Sequence, residues 1–172
     1  MTLYPATNRQ LPDNSILDLM GKQCYLGNQY SIYQNFTIGA SETALILLQN
    51  AQTGSQQTLK SIFQNFMRMV QTSSTKTSIL NIYLNPTITS AGTPITPTNM
   101  RIAYGSHSIA TASASPTISA NGTQINSISA STLSMGDSNL LSILDDNQSL
   151  LITGTGSSSG TTLSLIVQWY EI

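Results

Sequence analysis

The chain has 172 residues, 40% of them hydrophobic, enough for one folded domain with its own core and no metal or disulfide staple. Charged residues make up only 8%, six Lys and Arg against seven Asp and Glu, where about 25% is usual for soluble globular proteins. The cations Arg9, Lys22, Lys60, Arg68, Lys76 and Arg101 stand singly, which argues against nucleic acid as a partner, since phosphate backbones need several cations on one face.

Ser and Thr supply 47 residues and Asn and Gln another 26, so hydroxyls and amides solvate a surface that charges would ordinarily solvate. Such a surface is unusual for a cytosolic enzyme and ordinary for an extracellular protein or a virion. Met1 to Gln10 has no basic region followed by an apolar stretch, and nowhere do about 18 apolar residues run together, so neither a secretory signal nor a membrane span is expected. Cys24 has no partner for an internal disulfide and no cation beside it to activate the thiol, so a buried or half-buried structural cysteine is expected.

Residues 1–29 place Pro5, Pro12, Asn8, Asn14, Gly21 and Gly27 around brief apolar patches, the pattern of an extended arm that packs on something else. Its apolar anchors, Leu3, Tyr4, Ile16, Leu17, Leu19 and Met20, are the expected docking residues.

From Tyr30 onward, about eight short apolar or alternating runs are separated by turn-forming clusters, which predicts a sandwich or barrel rather than βαβ units. Ser31 to Ile38 alternates. Thr43 to Gln49 contains the unbroken run Ala44-Leu45-Ile46-Leu47-Leu48, which reads as a strand buried on both faces or a short buried helix. Leu59 to Val70 offers both a helical face and a poor alternation, and its setting among strands favours a strand. Thr77 to Leu84 is a strand that stops at Asn85-Pro86, because proline has no N–H to give to a ladder. Met100 to Tyr104 and Ser106 to Ala112 read as two short strands flanking Gly105, Ile125 to Thr132 as a weaker strand, and Ser149 to Thr153 as a further strand ahead of a flexible loop from Gly154 to Gly160. Thr161 to Glu171 alternates most regularly, with Leu163, Leu165, Val167 and Trp169 on one side, and is expected in the middle of a sheet.

The segment Asn85-Pro86-Thr87-Ile88-Thr89-Ser90-Ala91-Gly92-Thr93 recurs as Ser115-Pro116-Thr117-Ile118-Ser119-Ala120-Asn121-Gly122-Thr123. Two copies are too few for a solenoid, which takes about three or more. Each copy is expected to run as an extended edge segment into a tight turn at its glycine, the two forming equivalent loops at one end of a sandwich.

The stretch Glu42 to Asn50, the two copies of the repeat and the closing Val167-Gln168-Trp169-Tyr170-Glu171 resemble small virion structural proteins of tailed phages, over roughly residues 40–172. The resemblance implies a capsid decoration, head-fibre or tail-associated subunit with a sandwich or jelly-roll fold, commonly trimeric, located in the virion after assembly in the host cytoplasm. The expected architecture is therefore all-β, an antiparallel β-sandwich of jelly-roll type over residues 30–172, preceded by the extended N-terminal arm. Expected partners are further copies of the chain, most naturally as a trimer, and the major capsid protein or another virion protein.

Chemistry is scarce. His107 is the only histidine and has no acid partner near it in sequence, so no catalytic triad and no enzymatic activity are expected. Asp145-Asp146, with Asp137 upstream, offers carboxylates for a calcium site but is better read as a solvated turn, and no metal or cofactor is expected. Gly154-Thr155-Gly156 is followed by no lysine, so it is not a phosphate loop. A second functional class remains open: a lectin-like or receptor-binding module that takes a surface glycan on the loops around Gly92, Asn121-Gly122 and 154–160. Tyr25, Tyr30, Tyr33, Tyr104, Tyr170 and Trp169 are the aromatics available for stacking, though most are expected in the core or in subunit contacts.

Overall fold

The computed structural model describes residues 26–50, 61–73, 75–101, 107–131, 135–138 and 142–171. They form fourteen strands: β1 (Gln29–Ile38), β2 (Thr43–Asn50), β3 (Ile62–Gln71), β4 (Ser78–Leu84), β5 (Thr87–Ser90), β6 (Thr93–Ile95), β7 (Thr98–Asn99), β8 (Ala110–Ala114), β9 (Thr117–Ala120), β10 (Thr123–Ala130), β11 (Met135–Ser138), β12 (Ser142–Leu144), β13 (Ser149–Gly156) and β14 (Thr161–Glu171). The first sheet runs β11-β3-β14-β1-β7 with β12 also on β3, the second runs β10-β4-β13-β2-β8-β6, and β5 and β9 make a small sheet of their own. Every pairing is antiparallel.

The pairing is nested. The first four strands meet the last five in reverse order, β1 with β14, β2 with β13, β3 with β12 and β11, and β4 with β10. Because β1 to β4 also alternate between the sheets, β14 pairs with β3 as well as β1, and β13 with β4 as well as β2. The all-β sandwich and the central place of the last strand are as the alternation of residues 161–171 requires.

Alternation also explains the core. Leu163, Leu165, Val167 and Trp169 of β14 point inward and are at most 1% exposed. They join Tyr30 and Ile32 of β1 and Met67 and Met69 of β3, and meet Ile46, Leu48, Leu80, Ile82, Leu150 and Ile152 from the second sheet. Tyr30 and Trp169, opposite each other in the register, stack with ring centroids 6.2 Å apart. Burial of side chains this large stabilises the fold by about 1.5–3 kcal/mol each.

The apolar run in β2 is a strand, and two devices account for its continuity. Ile152 pairs with Ile46 and Thr153 with Ala44, so Leu45 is an extra residue, a bulge. The bulge turns Leu45 toward the core together with Ile46 and Leu48, and its methyl fills the space that a Cβ at Gly154 would need, 2.7 Å away. Leu47 points to the opposite face and is nevertheless fully buried. Residues 62–71 likewise form a strand, as their setting favoured.

Three local expectations are corrected. The run from Ser149 stays in the ladder to Gly156, because Gly154 and Gly156 let Leu45 and the Thr161 side chain approach closely; only residues 157–160 form the turn into β14. The strand expected over Ser106 to Ala112 is Ala110–Ala114, displaced toward the alanines that pair with β2. Met100 and Arg101, expected at the start of a strand, lie just past the two-residue β7, where Met100 N–H donates to Gln29 O at 2.9 Å. Residues 102–106 lie outside the described residues, as do Cys24 and the six docking residues of the arm.

Candidate functional site

The two copies of the near-repeat are not independent loops but one paired extension. Both leave a strand of the second sheet, β4 at Leu84 and β8 at Ala114, through a residue in the left-handed region, Asn85 and Ser115, each with φ of 52°. Their N–H groups donate to carbonyls of the second sheet, Asn85 to Ser149 and Ser115 to Leu45, both at 2.8 Å. Pro86 and Pro116 are buried, and β5 and β9 then pair with each other, Ile88 opposite Ile118.

Each copy closes on the other. Gly92 and Gly122 both have φ of +87°; a Cβ at Gly92 would lie 2.2 Å from Ala114 O, and one at Gly122 would lie 2.2 Å from Leu84 O. The next residues pair reciprocally, Thr93 with Ala114 and Thr123 with Leu84. The sequence repeat is thus a local two-fold relation, and glycine is required in both copies because an adjacent backbone occupies the space of a side chain.

The turn of the second copy is tied to the outward face of the second sheet, where Asn121 shares the Glu42 carboxylate with Asn81, Tyr83 and Thr153. Tyr83, Leu151, Leu47 and Ser113 stand side by side on that face in the register of β4, β13, β2 and β8, and none is more than 8% exposed. Glu42, just before β2, makes that tie. Its Oε1 accepts from Asn81 Nδ2 at 3.0 Å, Tyr83 OH at 2.9 Å and Thr153 Oγ1, and its Oε2 from Asn121 Nδ2 at 3.3 Å. Partial burial raises the carboxyl pKa, but the four donors outweigh it and hold Glu42 below the usual carboxylate value. Burial, then the Glu42 carboxylate, push the Tyr83 hydroxyl upward.

Glu171, 2% exposed, makes a second carboxylate junction. Its Oε1 accepts from Ser108 Oγ at 2.6 Å, the N–H groups of Ile109 and Ala110 at 3.0 and 3.3 Å, and Trp169 Nε1 at 3.3 Å. The last strand of the first sheet is thereby tied to the start of β8 in the second.

The outward face of the first sheet is open around the second half of β1. Tyr33, Asn35 and Thr37 of β1 are exposed beside Ile166, Ser164 and Thr162 of β14, and with Thr72 they border a cleft of about 510 Å³.

Of the residues singled out by chemistry, His107 is exposed just before β8, and Asp145 and Asp146 lie on an exposed turn where Ser61 Oγ donates to Asp145 Oδ1 at 2.9 Å. Among the described residues no three His, Cys, Asp or Glu side chains gather as metal ligands, and no helix is long and apolar enough to cross a membrane. Of the loops expected to hold a glycan, those at Gly92 and Gly122 bring their backbone close to Ala114 and Leu84 but are exposed, residues 154–156 belong to β13, and 157–160 form an exposed turn. Tyr30 and Trp169 are core residues and Tyr170 is buried, leaving Tyr33 as the exposed member of the expected aromatics among the described residues. Sequence reasoning passed over Glu42 and Glu171; the available signal was that a carboxylate is rare in so uncharged a chain. No protein-family model matches the chain, and no curated protein matches it.

Proposed function

We propose that the chain is a non-catalytic structural subunit of a phage virion, a capsid decoration or fibre protein that associates with copies of itself and docks on the particle through its N-terminal arm. The observation that carries the reading is the nested pairing of β1–β4 against β10–β14 across two sheets. Such a winding is what a jelly roll requires, an architecture used repeatedly for viral coat and lectin domains. The charge-poor surface supports the same reading, since packing of identical neutral surfaces meets no like-charge repulsion. The Glu42 and Glu171 carboxylates hold parts of the fold together, which leaves them as fasteners rather than as reagents.

Light scattering on the purified full chain tests the reading. A mass that is a whole multiple of 18.4 kDa, three-fold for the trimer, is expected. A monomer at all concentrations would reject a self-associating subunit. Removal of residues 1–25, which takes away the six docking residues and leaves β1 whole, is expected to abolish association with the particle; retained association would reject the arm as the docking element.

A further inference from the structure

We infer that the cleft on the outward face of the first sheet is a binding site for a neutral oligosaccharide, a role beyond assembly. Four features of the cleft converge on that class of ligand.

The first is an exposed aromatic ring held in place. Tyr33 is 58% exposed, yet its hydroxyl donates to Asn35 Oδ1 at 2.8 Å and lies 3.3 Å from Ser164 Oγ. A ring fixed in this way loses little freedom when a ligand stacks on it, and the C–H face of a pyranose is a suitable partner for an aromatic plane.

The second is the arrangement of the amide. Asn35 Oδ1 also accepts from Ser164 Oγ at 2.6 Å, so both its lone pairs are occupied from within the protein. The amide nitrogen is the part of Asn35 that remains to donate to a ligand hydroxyl, on the strand next to the Ser164 row.

The third is the far wall, built from hydroxyls. Thr72 Oγ1 donates to Thr162 Oγ1 at 2.8 Å and to Thr162 O at 3.0 Å, and Ser73 Oγ lies 3.0 Å from Thr162 Oγ1. Hydroxyls both give and accept, which matches the dual character of sugar hydroxyls.

The fourth is charge. Among the described residues that line the cleft none but the Tyr33 phenol is ionisable, and Arg68 stands two strands from Tyr33 in the same row of the sheet, so the lining itself suits a neutral ligand better than an anionic one. A cleft of about 510 Å³ is within the range of small-ligand sites and is wide enough for a few sugar rings. The expected binding face is thus a strand surface rather than the loop ends of the sheets.

The test is saturation-transfer NMR on the full chain with maltotriose, cellotriose, mannotriose and triacetylchitotriose, followed by titration of any binder. At least one trisaccharide is expected to receive saturation, with affinity about tenfold weaker for Tyr33→Ala and weakened by a smaller factor for Tyr33→Phe, which keeps the ring but loses the hydroxyl that holds it. Thermal unfolding of both variants shows that the fold is retained. Absence of transfer to all four sugars at about 10 mM, a concentration where millimolar sites are filled, would overturn the proposal. So would binding that Tyr33→Ala leaves unchanged. If Tyr33→Ala alters only the mass seen by light scattering, the face contacts another copy of the chain and the sugar site is rejected.

Discussion

The middles of the two outward faces of the sandwich are built on the same antiparallel ladders and end in opposite states. On the second sheet Leu47 and Leu151 are fully buried and Tyr83 nearly so, whereas Tyr33 on the first sheet is 58% exposed among amides and hydroxyls. The cover is local, because Ile79, on the same face as Tyr83 but at the far end of β4, is 46% exposed. The difference is written in the strands themselves. β14 alternates because one of its faces is wet, while β2 and β13 read as continuous apolar runs because something lies on both sides. An unbroken apolar run in a sandwich therefore signals cover on both faces, and here Asn121 of the second repeat copy is tied through Glu42 to Tyr83 and Thr153 on the outward one.

The comparison is broken most directly at Leu151. Leu151→Ala is expected to cost about 2–5 kcal/mol in urea unfolding, as for a residue of the central core; a cost near zero would mean that the face is not covered. Next in size are Gly92→Ala and Gly122→Ala. Each places a Cβ 2.2 Å from a carbonyl oxygen at φ of +87° and is expected to cost about 1–3 kcal/mol. Unfolding midpoints lowered equally by the two would establish the reciprocal closure, and one silent variant would refute it.

The Glu42 fastening should respond to acid. Its folded pKa is held below the ordinary 4.5, so the stabilisation is fully present above about pH 4.5 and is lost as pH falls through the folded value. The stability gap between the natural chain and Glu42→Ala is expected to be constant near neutrality and to shrink below that pH. A gap independent of pH would show that the charge of Glu42 contributes nothing. The smallest effect is expected at Tyr33→Ala, within about 0.5 kcal/mol, because the open face has little packing to lose.

Much of this was legible along the chain. The alternation at Leu163, Leu165, Val167 and Trp169 marked a central strand, the stop at Asn85-Pro86 marked the end of β4, and the near-repeat marked two equivalent segments. What escaped was governed by approach between distant parts. Gly154 and Gly156 read as a flexible loop, since no local pattern reveals that Leu45 and Thr161 need the room. The repeat read as two separate loops, since nothing within either copy says that its glycine will close on the other copy's hinge.

The sequence by itself determined an all-β sandwich with a polar, nearly uncharged exterior, because period-two alternation and composition act within a few residues or over the whole chain without reference to geometry. Only the tertiary structure decided which outward face is covered, where Glu42 and Glu171 find their donors, and that Tyr33, Asn35, Thr72, Thr162 and Ser164 border one cleft. Those arrangements join residues separated by as many as 131 positions, such as Tyr33 and Ser164, and their proximity follows from strand order and register, which alternation along a strand does not encode.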